Sequence, residues 1–375
     1  MEARIHRVPA GAPDDVSGIA ALVAEGSLDP ACVVAILGKT EGNGCVNDFT
    51  RGFATASLKA AMASWLAIPV EAVERRVVFV MSGGTEGGLS PHWLVFEAVD
   101  ATDAPGPHKA LAFGSAVTRP FAAHEVGRMA QARATAAAVQ AAMSDAGIAD
   151  QADVHYVQVK CPLLTKARIA VAKQAGHRVA TEDTLKSMAF SRGASALGVA
   201  LALGEADPAS VSDATVCADL GTYSERASTS AGVELLENQV LVVGNSAAWS
   251  GDLVIAHAVM EDAIDTAAVA RVLEALQITP ALPLEGASRG RVRAVLAKAE
   301  PSQSGLIRGA RHTMLDDSDI ASSRHARALV GGVLAGVFGT TMLFVSGGAE
   351  HQGPDGGGPL AVIARRAAEP KAVTP

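Results

Sequence analysis

The chain has 375 residues, a formal net charge of -8 and only 4% aromatic residues. A negative chain with no basic cluster interleaved with aromatics is not built to bind nucleic acid, and no apolar run is long enough to cross a bilayer. Four scattered cysteines (Cys32, Cys45, Cys161, Cys217) and ten histidines, with no Cys-x-x-Cys, His-x-His or His-Glu-x-x-His, argue against a disulfide scaffold, a structural zinc site and a histidine-held catalytic metal. The first residues show no signal-peptide core, and the scattered cysteines, read as reduced thiols, lead to the expectation of a cytoplasmic protein.

In chain order, Asp14 and Asp15 precede a helix over 16–24, with acid at its positive end. The apolar run 32–37 reads as a buried strand ending at Gly38-Lys39. Phe49-Thr50-Arg51-Gly52 leads into a helix over 53–66, and a strand over 77–81 delivers Ser82. A linker follows at 103–107. An alanine-rich helix is predicted over 123–146 and a strand over 154–159, ending at Lys160. Phe190-Ser191-Arg192-Gly193 opens a helix over 194–203, Ser230 comes next without a clear preceding strand, and 240–243 is a further strand. The last third repeats the order: a helix over 266–276, a strand over 292–297 ending at Lys298, Ser322-Ser323-Arg324 before a helix over 326–334, and a strand over 340–345 delivering Ser346.

The pattern Ser-[Gly/Ala]-Gly-x-Glu occurs once in each third: Ser82-Gly83-Gly84-Thr85-Glu86, Ser230-Ala231-Gly232-Val233-Glu234 and Ser346-Gly347-Gly348-Ala349-Glu350. Each copy follows a strand-end lysine and a helix-start arginine in the same order, which marks internal repetition. The predicted fold is α/β: repeat units over 1–103, 108–250 and 252–375 around a pseudo-threefold axis, sheets inside, helices outside and the site at the centre. The middle unit has diverged most, with the longest lysine-to-serine separation and Ala231 where the others have glycine.

Serine is a poor nucleophile until a base takes its proton, and a neutral lysine can be that base. Burial and nearby cations both favour the neutral amine, and convergent units would bring together Lys39, Lys160, Lys298 and three arginines. A small residue after the serine leaves a backbone N–H open to an oxyanion; Gly83 and Gly347 also suit positive φ. Cys161 beside Lys160 is a thiol with no counterpart in the other units. The glycine-rich stretch 349–358 offers carbonyls for a hard cation such as Mg²⁺ or Ca²⁺, with Glu300 as a carboxylate, or it is a plain turn.

Gly38-Lys39-Thr40-Glu41-Gly42-Asn43-Gly44, Phe49-Thr50-Arg51, Met81 to Glu86, Phe190 to Ala194 and Val345 to Pro354 resemble the cyanuric acid amidohydrolase/barbiturase family over essentially the whole chain. The resemblance implies ring-opening hydrolysis of a cyclic amide at the centre of three repeated units, in a homotetramer. It implies substrate binding by Arg51, Ser82-Gly83, Arg192, Ser230-Ala231, Arg324 and Ser346-Gly347, with Ser230 as nucleophile and Lys160 as base. It also implies a structural Mg²⁺ or Ca²⁺ held by Glu300, Ala349, Gln352, Gly353, Pro354 and Gly357. The expected substrate is cyanuric acid, opened through an acyl-enzyme to carboxybiuret, then biuret and CO₂. The alternatives are barbituric acid as substrate, or a small-metabolite binder without catalysis.

Overall fold

A computed structural model describes residues 1–102 and 104–367. Residue 103, where the predicted first unit ends and the linker begins, and residues 368–375 of the predicted third unit lie outside the described residues.

Each third of the chain builds one four-stranded sheet. The first contains β1 (Glu2–Pro9), α1 (Ser17–Ala24), β2 (Val33–Thr40), α2 (Phe49–Leu66), α3 (Val70–Glu74), β3 (Val78–Gly83) and β4 (His92–Val99). The second contains β5 (Ala110–Val117), α4 (Met129–Asp145), β6 (Val154–Pro162), α5 (Lys166–Gln174), α6 (Thr184–Ala202), β7 (Ala227–Gly232) and β8 (Gln239–Ser246). The third contains β9 (Leu253–Met260), α7 (Thr266–Ala275), α8 (Gly286–Arg291), β10 (Val292–Ala299), a small hairpin of β11 (Leu306–Ile307) and β12 (Ala310–Arg311), α9 (Ser322–Phe338), β13 (Phe344–Gly347) and β14 (Gly358–Arg365). The strand orders β1-β4-β2-β3, β5-β8-β6-β7 and β9-β14-β10-β13 are one topology three times.

In every sheet the lysine strand runs parallel to the serine strand, and the other pairings are antiparallel. A parallel pair needs a crossover connection, supplied by α2 with α3, by α5 with α6, and by α9. The ladders set Lys39 opposite Ser82, Lys160 opposite Ser230 and Lys298 opposite Ser346. Strand alternation then decides which way they face. Ala35 and Leu37 belong to the core shared by all three sheets, whereas Ile36 packs outward under α2 with Leu58 and Met62. Lys39 continues the inward row. Ala294 and Leu296 put Lys298 on the same inward row of β10.

Several elements differ from the sequence reading. The serine in the middle unit does follow a strand, β7, although Ala227-Ser228-Thr229 carries little apolar signal. Arg51 and Arg192 lie inside helices that start earlier than predicted, because the side chains of Asp48 and Asp183 accept from Thr50 and Lys186 N–H and cap α2 and α6. The alanine-rich helix starts only at Met129, after a turn in which Gly127 has φ +77°.

Candidate active site

The shared register brings the three serines to one place. Ser230 Oγ lies 3.3 Å from Ser346 Oγ, and Ser82, Ser230 and Ser346 are 5%, 8% and 2% exposed. Ser82-Gly83, Ser230-Ala231 and Ser346-Gly347 line one central pocket with Gly44, Met81, Met188, Arg51, Arg192 and Arg327. Larger cavities of about 570, 430 and 330 Å³ lie away from the serine hydroxyls, at boundaries between units.

The third arginine of this pocket is Arg327, not the predicted Arg324. Both stand on α9 and both bind Glu86, at 2.7 Å for Arg327 Nη2 and 2.9 Å for Arg324 Nε. Arg324 sits in the first turn with a third of its side chain exposed, whereas Arg327, one turn deeper, is 5% exposed. The sequence held one cue. Arg51 and Arg192 are each followed by glycine; Arg327 is followed by Ala328, Arg324 by the bulkier His325.

Three cross-unit bonds close the ring. Lys39 Nζ donates to the carbonyl of Val345 (2.8 Å), Lys160 to that of Met81 (3.1 Å) and Lys298 to that of Thr229 (3.0 Å). Each acceptor immediately precedes a serine of another unit. Lys39 and Lys298 also donate to the hydroxyls of Ser82 and Ser346, each at 3.3 Å. Lys160 departs from this pattern: Glu234 Oε1, at 2.8 Å, takes the place the serine hydroxyl holds elsewhere.

The glutamates that close the repeated motif were given no role on sequence, although their triplication was a visible signal. Glu86 pairs with Arg327, and Glu350 grips Arg192 through two oxygens. By rotation Glu234 would pair with Arg51, but it pairs with Lys160. Arg51 instead donates to the carbonyls of Cys45 (2.6 Å), Gly44 and Ala231 (each 3.4 Å), and its buried Nε has no hydrogen-bond partner.

Burial is the first influence on all three lysines. It holds Lys39 well below the ordinary lysine value, with Arg327 adding to the effect. Lys298 falls to about 7, pushed down by burial and then by Arg192. Burial and Arg51 also lower Lys160, against the opposite pull of Glu234. Burial would raise Glu234, but Lys160 and Arg51 outweigh it and hold the carboxyl at about 2. Cys161 is fully buried and burial raises its thiol; Sγ donates to the Ser230 carbonyl at 3.5 Å, so it is not an activated nucleophile.

The left-handed backbone falls one residue later than expected: Gly84 and Gly348 have φ +104° and +77°, while Gly83 and Gly347 do not need it. A Cβ on Gly348 would stand 2.4 Å from Arg192 Nε, so the glycine also makes room for the guanidinium.

Glu300, Ala349, Gly353 and Pro354 line a small cavity with Asp355 and Gly356. Gln352 and Gly357 do not line it. The Gln352 side chain is occupied: its amide oxygen accepts from Thr229 N–H (2.7 Å) and its nitrogen donates to the carbonyls of Gly348 and Glu350. Among the described residues no cluster of three or more His, Cys, Asp or Glu could hold a metal. The cavity fits a hard cation all the same. Glu300 Oε2 is buried without a partner, its carboxyl is raised to about 7 by burial and by Glu350, and the loop supplies carbonyls of the type Mg²⁺ and Ca²⁺ prefer.

A family model described as amidohydrolase ring-opening protein matches residues 4–365. The chain belongs to this family. It is 59% identical over 367 residues to the cyanuric acid amidohydrolase of Bradyrhizobium sp. (strain ORS 375), covering 97% of this chain and 98% of that one. It is 57% identical over 364 residues to the protein of that name from Azorhizobium caulinodans, with the same coverage of 97% and 98%. A solved cyanuric acid hydrolase, described as evolutionary innovation by structural concatenation, superposes with a TM-score of 0.92 at 52% identity over 97% of this chain and 99% of that one. The crystal structure of the A. caulinodans hydrolase gives 0.90 at 55% identity, over 98% and 99%. None of these relatives is named for barbituric acid. No helix among the described residues is long and apolar enough to cross a membrane.

Proposed function

We propose that this protein opens the ring of cyanuric acid by hydrolysis. One observation carries the reading: three serines and three arginines, one of each from each unit, line a single pocket, and the proposed substrate repeats one amide unit three times. The relatives' names point the same way.

In this reading Arg51, Arg192 and Arg327 grip the ring carbonyls with planar, permanently charged forks. Ser230 attacks one carbonyl and Lys160 receives its proton. Backbone N–H groups beside the serines bind the developing oxyanion. Ring C–N cleavage returns the proton to the leaving nitrogen, and water then releases carboxybiuret from Ser230. The second unit is favoured because its pair alone differs: Lys39 and Lys298 already donate to their serine hydroxyls, whereas Lys160 is engaged by Glu234. Ser82 and Ser346 would then hold and polarise the two remaining carbonyls. A Mg²⁺ or Ca²⁺ held by Glu300 and by carbonyls of Ala349, Gly353 and Pro354 would neutralise a buried carboxylate and brace the loop, outside the reaction itself. We take the units to divide near residues 103–108 and 250–252, between the strands of successive sheets.

The test is to incubate the purified protein with cyanuric acid and with barbituric acid, assaying biuret and ureidomalonate. Biuret is expected from the first and little product from the second. Ser230→Ala is expected to abolish turnover and any acyl adduct seen by mass spectrometry. Near wild-type turnover in that variant would remove Ser230 from the mechanism.

A further inference from the structure

Lys160 and Glu234 also line a second cavity, separate from the central pocket. It is a cleft of about 430 Å³ between the first and second units, walled by α2 and α3 on one side and by Leu235, Glu237 and Gln239 on the other. Ser230 faces the central pocket; its lysine, opposite it in the ladder, faces the cleft. The Glu234 side chain is 22% exposed against 2% for Lys160, so the carboxylate bridges a dry amine and open water. Neither Lys39 nor Lys298 forms an ion pair among the described residues, and the glutamates of their own units are tied to arginines instead.

We propose that Glu234 is a proton-relay and positioning residue that connects Lys160 to water in this cleft. The inference rests on the assignment of Ser230 and Lys160 as the reacting pair. Hydrolysis of a cyclic amide leaves a carboxyl group, and that acid ionises at neutral pH, so ring opening releases one proton in the site, which is taken up again only when the departed carboxybiuret loses CO₂. The central pocket is filled by product at that moment. The proton passes from the product's carboxyl to the Lys160 amine, from the ammonium to the Glu234 carboxylate, and from that acid to water in the cleft. Lys160 is left neutral, ready to accept the Ser230 proton, and no oxidant or further reactant is needed. The charged groups around Glu234 suit a transient acid. Arg51 faces it from the ring side with a permanent charge, and Lys160 adds to that pull only while the amine is protonated. Across the cleft Lys59 and Glu74 neutralise one another at 2.9 Å, and Glu71, Arg75 and Glu237 complete the wall.

The test compares pH profiles of cyanuric acid turnover for wild type, Glu234→Gln, Glu234→Asp and Glu234→Ala, the last with and without formate. Glu234→Gln is expected to lower kcat about 10²-fold, the scale of lost proton transfer, with KM little changed. The acid limb of its profile moves to lower pH, because the ammonium form of Lys160 loses its counter-ion. Glu234→Asp recovers part of kcat, and formate, small enough for the cleft, restores part of the activity of Glu234→Ala. A residue that only braced the fold would give neither the limb shift nor formate rescue. If Glu234→Gln folds poorly, Glu234→Asp and the formate series carry the test. Wild-type kcat and an unmoved profile in Glu234→Gln, with Ser230→Ala and Lys160→Ala both inactive, would overturn the relay alone. Retained turnover in Ser230→Ala or Lys160→Ala would instead overturn the assignment of the pair.

Discussion

At the scale of single residues, the site is decided by depth along a helix. Arg324 and Arg327 are three apart and share a face of α9, so spacing alone does not separate them. Ala328 separates them in space: it packs beside Gly87, where even a methyl on the glycine would come within 3.3 Å. A small residue after the arginine lets α9 approach the turn after β3 and carries Arg327 inward. Arg327→Ala is therefore expected to lower kcat/KM about 10²-fold, near 3 kcal/mol of lost transition-state binding. Arg324→Ala is expected to cost less than about tenfold, since Glu86 keeps Arg327 in place. Steady-state kinetics on cyanuric acid separates the two; equal losses would return Arg324 to the pocket.

At the scale of elements, the loop between β13 and β14 joins the third unit to the long insertion of the second. The His351 ring accepts from Cys217 N–H and bonds the Thr222 carbonyl, Ser224 and His351–Gly353 exchange backbone bonds, and Gln352 reaches β7 through Thr229. Glu300 lies beneath it with one oxygen unpaired. A bound cation that favours the native state would stabilise it by about 2.7 kcal/mol at a hundredfold excess over Kd. Treatment with EDTA should lower Tm by several degrees, and Mg²⁺ or Ca²⁺ should restore it. Glu300→Gln should abolish the response. A chelator-insensitive wild type, free of metal by elemental analysis, would leave the loop as a plain turn.

At the scale of the whole molecule, three buried lysines lock the ring by donating to carbonyls of neighbouring units. That lock has a pH signature. Lys39 has its native pKa well below 10.5, so between those values the unfolded chain binds a proton that the native chain does not. Its contribution to stability therefore rises with pH across that window, by at most about 1.4 kcal/mol per unit, and levels off above it. Compared with Lys39→Met by urea unfolding, the wild type should gain on the variant as pH rises toward 10. A pH-independent difference would mean that Lys39 stays charged in the folded protein.

The repeat, the α/β class and the lysine–serine pairs were legible in the sequence because they are local and triplicated. β-branched runs name buried strands, and polar residues that recur in one order across three divergent units have no purely structural reason to do so. Strands β1, β4, β5, β9 and β14 are absent from the sequence reading, although β4, β9 and β14 carry apolar runs of the same kind; they hold none of the triplicated polar residues on which that reading was built. The choice of Arg327, the link from Glu234 to Lys160 instead of Arg51, and the cleft behind that pair were decided only by the tertiary structure. Each depends on which unit's side chain arrives first at a shared partner. That is a matter of distance between segments far apart in the chain, which no local pattern of residues records.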